Sequence, residues 1–389
     1  MRHLHIPGLI ALLGATLLAT PAGAHPSDHH ARTTVPAPTT ATVATDQLGP
    51  DSVLAVVAHG RFDVAGARGL ERSLEVITAD GTRHPVWTVA VRQRRGWLPG
   101  DFVLRDWRPE MHTALLRVSR GPDGDTLVSY DVTTGATRQV PAPERASTTG
   151  LAPDGSGVLM TTYGTPRRAG RVGVLAWDGS KEWLPAQGDG AAITSADGQT
   201  LVTTDAKSWW ISDLASRTSR RVEVDRFCTP VRWADADSVV ATCSAGRGSQ
   251  LRRVDLDGSS VPLGVRHATR TARNAPPILS DGDVRTVQGR DYYESFGGCG
   301  GAVLTRQGAA GEVRVVRVPG DRGALSLVGT RGDDLVIAHI GDDCGSPGAR
   351  SVLSLFDPVS KDETHLTVLP RRESWSEVLA AAEVRSWIG

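Results

Sequence analysis

The sequence predicts an all-β fold, a seven-bladed β-propeller of four-stranded antiparallel blades. Three observations lead there. A turn signal followed by an apolar strand recurs along the chain. A second turn signal falls between successive copies of the first. Few segments carry helical periodicity, LAAAEV near the C-terminus being the main exception.

The first signal stands at Pro50-Asp51, Pro109-Glu110, Pro153-Asp154, Asp197-Gly198, Asp235-Ala236, Asp281-Gly282 and Arg331-Gly332. The strands that follow read VLAVVAH, ALLRVS, VLMTTY, LVTTD, SVVATC, VRTVQG and LVIAHI. Seven signals at ~40–60 residue spacing mark repeated β units. The second signal appears in TADGTRHPVW (78–87), DVTTGATRQVP (131–141), AWDGSKEWLP (176–185), DLASRTSRRVEV (213–224), DLDGSSVPLG (255–264), RQGAAGEVRVV (306–316) and DPVSKDETHLTVL (357–369). Gly and Asp supply the positive-φ positions of tight hairpins at these points. Each unit therefore reads strand A, turn, strand B, loop, strand C, turn, strand D. Radial stacking buries both faces of such sheets and leaves short edges. A pair of β-sandwiches would not need a regular double signal.

The repeats begin at a first turn, so the first blade lacks its strand A. VRSWIG at the C-terminus is similar to VLRDW (103–107) and PVRW (230–233), which both precede a first turn. Val384–Ile388 is thus expected to supply the missing strand. The competing reading uses Thr42–Leu48 and makes 378–388 a helix.

The first 24 residues read as a signal peptide: MRHLHIPG, the apolar LIALLGATLLA, and Ala22-Gly23-Ala24 as cleavage site. No Cys follows that site for lipid attachment, and no later apolar run suits a membrane helix. The mature chain is expected to be exported, with a Pro/Thr/Ala-rich disordered linker over 25–48 and the propeller over 49–389. Lys181, Lys207 and Lys361 are the only lysines, and formal charge is balanced, which argues against nucleic acid as partner. His25, His29 and His30 offer copper ligands, but a flexible polar tail is the preferred reading because no rigid partner holds a geometry, so no metal or cofactor is expected.

LAPDGSGVLMTTY (151–163) followed by GVLAWDGSKEWLP resembles the TolB-like, PD40-type propeller repeat, and SQLRRVDLDGSSVPLG (249–264) matches its second half. The resemblance covers roughly residues 49–389 and implies the propeller fold. It also implies that the B–C loops share one face with the D–A loops. On that face Arg61, Arg167, Arg168, Arg247, Arg290, Tyr292, Tyr293, Asp342 and Asp343 are the expected binding residues, because long loops on a rigid scaffold carry binding.

Other motifs favour bland readings. No GxSxG elbow and no HExxH occur, which argues against a prolyl-oligopeptidase-like peptidase. Asp255/Asp257 and Asp235/Asp237 resemble calcium-loop fragments, and Arg331-Gly332-Asp333 spells an adhesion tripeptide, yet all sit at expected turns. Trp107, Trp177, Trp209, Trp210 and Trp233 are expected to pack between blades. The functional expectation is a monomeric, secreted, non-enzymatic scaffold for an extracellular protein or glycan. The alternative is a lyase or glycosidase with its site in the central channel.

Four cysteines in an exported chain suggest two disulfides. In an antiparallel hairpin opposed residues share an index sum. Trp233 opposite Ser238 sets a sum that Cys228 and Cys243 also satisfy, so these two should pair. Cys299 and Cys344, in B–C loops of consecutive units, are then expected to staple neighbouring blades.

Overall fold

A computed structural model describes residues 37–49, 51–60, 70–91, 98–165, 169–188, 191–195, 197–205, 208–245, 248–263, 284–296, 302–307, 313–320, 325–339, 350–371 and 373–380. It contains the seven four-stranded antiparallel blades that the double turn signal requires. Given in the order A to D, blade two is Phe102–Arg108, Thr113–Ser119, Asp125–Asp131, Thr137–Pro141. Blade three is Ala146–Leu151, Gly157–Thr162, Arg171–Ala176, Lys181–Gln187, and blade four is Ala192–Thr194, Thr200–Asp205, Ser208–Asp213, Thr218–Glu223. Blade five is Cys228–Trp233, Ser238–Ala245, Gly248–Asp255, Ser260–Pro262. Blade six is Val284–Val287, Arg290–Phe296, Ala302–Gln307, Val313–Val315, and blade seven is Leu325–Arg331, Asp334–His339, Val352–Phe356, Glu363–Val368.

Sequence pattern follows position in the blade. Strand B is sandwiched between neighbouring blades on both faces, so VLAVVAH is buried along nearly its whole length. Outer strand D meets water, and TSRRVE in blade four buries only Val222. The core lies between blades. Val53, Ala55, Val57 and Trp375 of blade one pack on Val328, Val336, Ala338 and Leu353 of blade seven. Each fully buried Val or Leu contributes about 1.5–3 kcal/mol. Trp107 and Trp209 are buried, and Trp177 and Trp233 pack against inter-blade clusters, as expected.

The ring closes in blade one. Its strands B, C and D are Val53–His59, Leu70–Ile77 and Arg83–Val91, and its innermost strand A is Glu373–Ala380 from the C-terminus. The chain end thus closes the ring, but ten residues or so upstream of VRSWIG. Val384–Ile388 lies outside the described residues. The alternation Trp375, Glu377, Leu379 against Ser374, Ser376, Val378 suits a strand, which the helix-like LAAAEV obscured in the sequence.

Residues 39–48, expected within the disordered linker, are ordered. Thr39–Thr40 pairs with the outer strand of blade one. Val43 is buried, and the Tyr130 hydroxyl donates to the carbonyls of Ala41 and Val86. This segment straps blade one to blade two.

A charged network locks the closing strand. Arg83 donates to Glu75 through Nε (2.7 Å) and to Glu373 through Nη2 (2.8 Å). His59 Nδ1 lies 3.3 Å from Glu373. Glu75 is fully buried, so removing its guanidinium partner would leave a buried charge unpaired. At the same seam Arg331 of the RGD turn donates to the carbonyls of Ala79 and Asp51, which is a structural use of that arginine. Gly81, at φ +86°, brings blade one against blade seven: a Cβ there would sit 1.8 Å from the Leu366 carbonyl oxygen.

The innermost strands share a further feature. In blades one, two, three, five and seven, strand A carries one extra residue against strand B: Ser376, Arg105, Thr149, Val231 and Val328 respectively. Such bulges bend the strand and re-aim a side chain. The bulge at Val231 also bears on the cysteines. Trp233 faces Val239 rather than Ser238, yet the extra residue restores the register by Cys228, which faces Cys243. The two form a disulfide. Cys299 and Cys344 lie outside the described residues.

Two outcomes are expected. A chain ending at Arg371 should lose its cooperative thermal melt, because blade one loses strand A; a preserved melt by circular dichroism would refute the closure. Cys228→Ser with Cys243→Ser should destabilise the fold by up to about 3 kcal/mol on the loop-entropy estimate, read from urea titration.

Candidate functional site

The propeller has two faces. One carries the A–B and C–D hairpins, the other the B–C and D–A connections. The second face gathers the site features, over blades one to three.

Blade three supplies a cavity of about 260 Å³ lined by Thr162, Tyr163, Thr165, Ala169, Arg171 and Trp183. Its shape follows from a tight strand exit. The Thr162 hydroxyl accepts the Arg171 N–H at 2.7 Å and so pins strand B to strand C. A Cβ at Gly170 would lie 2.0 Å from the Gly188 carbonyl oxygen, so only glycine lets the D–A connection approach there. The Arg171 guanidinium stacks over Trp183 with its carbon 3.9 Å from the ring centroid. Tyr163 stands 52% exposed beside them, a large aromatic surface at the rim.

Blades one and two supply charge at the mouth of the channel. Glu377 and Arg105 sit on adjacent innermost strands. The Leu104 backbone N–H donates to Glu377 at 2.5 Å. Burial nevertheless pushes the Glu377 carboxyl up to about 7, against the opposing pull of that bond and of Arg105 and Arg72. Burial also raises Asp101, which Arg72 meets at 2.9 Å. Arg105 is pushed down by burial and then by the like charge of Arg117, while Glu377, Asp125 and Tyr163 act on it in the opposite direction. Arg117 is itself paired with Asp125 at 2.6 Å.

The sequence-predicted residues divide into two groups. Arg61, Arg167, Arg168, Arg247, Asp342 and Asp343 lie outside the described residues. Arg290, Tyr292 and Tyr293 are described, and they are not in a B–C loop. Strand A of blade six is Val284–Val287, and its turn to strand B is Gln288-Gly289, both at positive φ. This two-residue hairpin displaces the expected turn at Asp281-Gly282, which is outside the described residues. Arg290 is therefore exposed at the opposite face, and Tyr292 and Tyr293 are buried between blades. The Asp turns read as calcium-loop fragments are hairpin caps: Asp257 accepts the Ser259 N–H and Asp235 the Asp237 N–H. No cluster of His, Cys, Asp and Glu suited to a metal occurs among the described residues.

One constellation imitates a hydrolase. Ser73 Oγ is 2.7 Å from His59 Nε2, and His59 Nδ1 is 3.3 Å from Glu373. The imitation fails as chemistry. Ser73 is 1% exposed in the middle of a strand, and its hydroxyl donates to Glu75 at 2.6 Å, so it is neither accessible nor poised on the imidazole. Blade seven repeats the pattern with His339, Ser354 and Glu363, a recurrence suited to inter-blade structure.

No protein-family model and no curated protein sequence matches the chain. Solved structures do. A structure of prolyl endopeptidases is similar at 13% identity with TM-score 0.50, over 86% of this chain and 51% of that one. Pyrococcus horikoshii acylaminoacyl peptidase is similar at 11% identity with TM-score 0.47, over 83% and 54%. Putative TolB from Agrobacterium tumefaciens is similar at 13% identity with TM-score 0.34, over 55% and 88%. The chain thus spans about half the length of the peptidases it matches. The prolyl endopeptidase likeness shows the fold, the propeller that the TolB-like repeat implied. The expected non-enzymatic protein- or glycan-binding scaffold is corrected to the propeller fold alone: the structure matched at TM-score 0.50 is of prolyl endopeptidases, and at 13% identity it carries the fold and not a role.

Glu377 gives a checkable pH dependence. Its folded value lies above the ordinary 4.5, so the penalty for ionising it is absent below about 4.5 and complete above about 7. Glu377→Gln keeps an acceptor for Leu104 and should raise the melting temperature at pH 8, with the gain vanishing near pH 4.5; a gain independent of pH would contradict the assignment.

Proposed function

We propose that the chain is a peptidase-related propeller that receives peptides at the B–C rim of blades one to three. The observation that carries this reading is the cavity walled by Tyr163, Arg171 and Trp183 beside the charged channel mouth. Its aromatic surfaces suit apolar side chains, and its guanidinium suits backbone carbonyls. The prolyl endopeptidase likeness supports the same direction through the fold. The step assigned to the described residues of this rim is peptide capture. We place this role after export, with His25 as the first residue of the mature chain.

Quenching of tryptophan fluorescence by short proline-containing peptides tests the proposal. Trp183→Ala and Arg171→Ala should each weaken binding about tenfold, the scale of one lost stacked or charge-assisted contact. Arg290→Ala on the opposite face should leave binding unchanged. Equal losses from both faces, or no binding at millimolar peptide, would overturn it.

A further inference from the structure

We propose that Arg105 anchors a subsite at the channel mouth that binds a peptide carboxylate. The proposal rests on the peptide reading above and names the chemistry that the same rim selects.

Several buried or partly buried arginines of blades one and two are held by acidic partners. Arg83 is held by Glu75 and Glu373, Arg108 by Asp106 and Thr194, and Arg72 by Asp101 and Ser376. Arg105 has no such anchor. It makes no hydrogen bond or ion pair among the described residues, and its Nε is buried without an acceptor. A guanidinium taken partly out of water without a partner costs stability. The strand does not hide it, because Arg105 is the extra residue of the blade-two bulge, the place where an innermost strand turns a side chain aside. The bulged residues of blades five and seven are valines, whereas those of blades one, two and three are Ser376, Arg105 and Thr149. Among the bulged residues, the polar ones are thus those of the blades beside the cavity.

The surroundings select the anion. Glu377, Asp125 and Arg117 act on Arg105 together with the Tyr163 phenol. Two carboxylates at the mouth disfavour a multiply charged group such as phosphate. A single carboxylate matches the planar fork of one guanidinium, with Tyr163 at hand from the cavity side. Glu377 modulates the site. Arg105, Arg72 and Asp101 are the charged groups that face it, and its carboxyl titrates near about 7. Below that value its negative charge leaves the mouth, so carboxylate binding should tighten as pH falls from 8 to 6.

The test compares N-acetyl-Ala-Phe as free acid, the same peptide as amide, and N-acetyl-Asp-Phe amide, by calorimetric titration of the whole chain. The free acid is expected to bind at least about tenfold more tightly than its amide, as one charge-assisted bidentate contact provides. Arg105→Gln should erase that difference without lowering the melting temperature, and Arg105→Lys should restore part of it. Tight binding of the Asp peptide amide, lost in Arg105→Gln, would support the subsite with the carboxylate coming from a side chain. If acid and amide bind alike and Arg105→Gln matches the unmodified protein, the subsite is wrong while the peptide reading stands. If none of the three binds, both fail.

Discussion

The structure depends on one pairing, that of Glu373–Ala380 with Val53–His59. In a propeller each blade buries its faces only against its two neighbours. An open ring would expose the apolar faces of blades one and seven, together with an unpaired edge along VLAVVAH. Closure therefore stabilises far more than the hydrogen bonds of one strand pair. Register matters as much as contact. A shift by one residue would send Trp375 out of the inter-blade cluster and bring charged side chains into it. The network of Glu75, Arg83, Glu373 and His59 opposes such a slip, because a misplaced Glu373 leaves buried charge unmatched.

Much of this was legible in the sequence because turns have strict residue requirements. Turn signals at Pro109-Glu110, Pro153-Asp154, Asp197-Gly198, Asp235-Ala236 and Arg331-Gly332 marked the A–B hairpins of blades two to five and of blade seven, and continuous apolar runs marked the strands B. Blade six misled. Gln288-Gly289 makes a positive-φ hairpin with a glutamine at its first position, a weak signal beside Asp281-Gly282. Taking the wrong turn moved one strand's worth of residues into a loop, and two core tyrosines with them. The cysteine pairing was reached through a register that differs at the turn. A bulge, which sequence spacing does not reveal, compensated for it.

The rim residues were harder to read for a different reason. Arg105 and Glu377 stand within strands, where alternation suggests only an outward side chain. Their meaning comes from neighbours distant in sequence: Glu377 lies against Leu104 across the ring closure. A charged residue in an innermost strand, with an apolar neighbour on one side as in FVLRDW and SEVL, is the signal available in sequence. It becomes specific only once the strand is known to be the one lining the channel.

The same positions show where stability has been given up. A bulge interrupts the ladder, Arg105 is partly desolvated without a hydrogen-bond partner, and Glu377 is buried at a cost that grows above pH 4.5. An apolar residue at each position would pack between blades as Val328 does in blade seven. Seven equivalent innermost strands make this comparison internal to one molecule. If the polar choice served the fold alone, it would recur around the ring. At the bulge itself the residue is instead polar in blades one, two and three, around the cavity, and valine in blades five and seven. Local departure from what folding favours, placed next to an aromatic cavity on one face, is the mark expected of a site kept for a ligand.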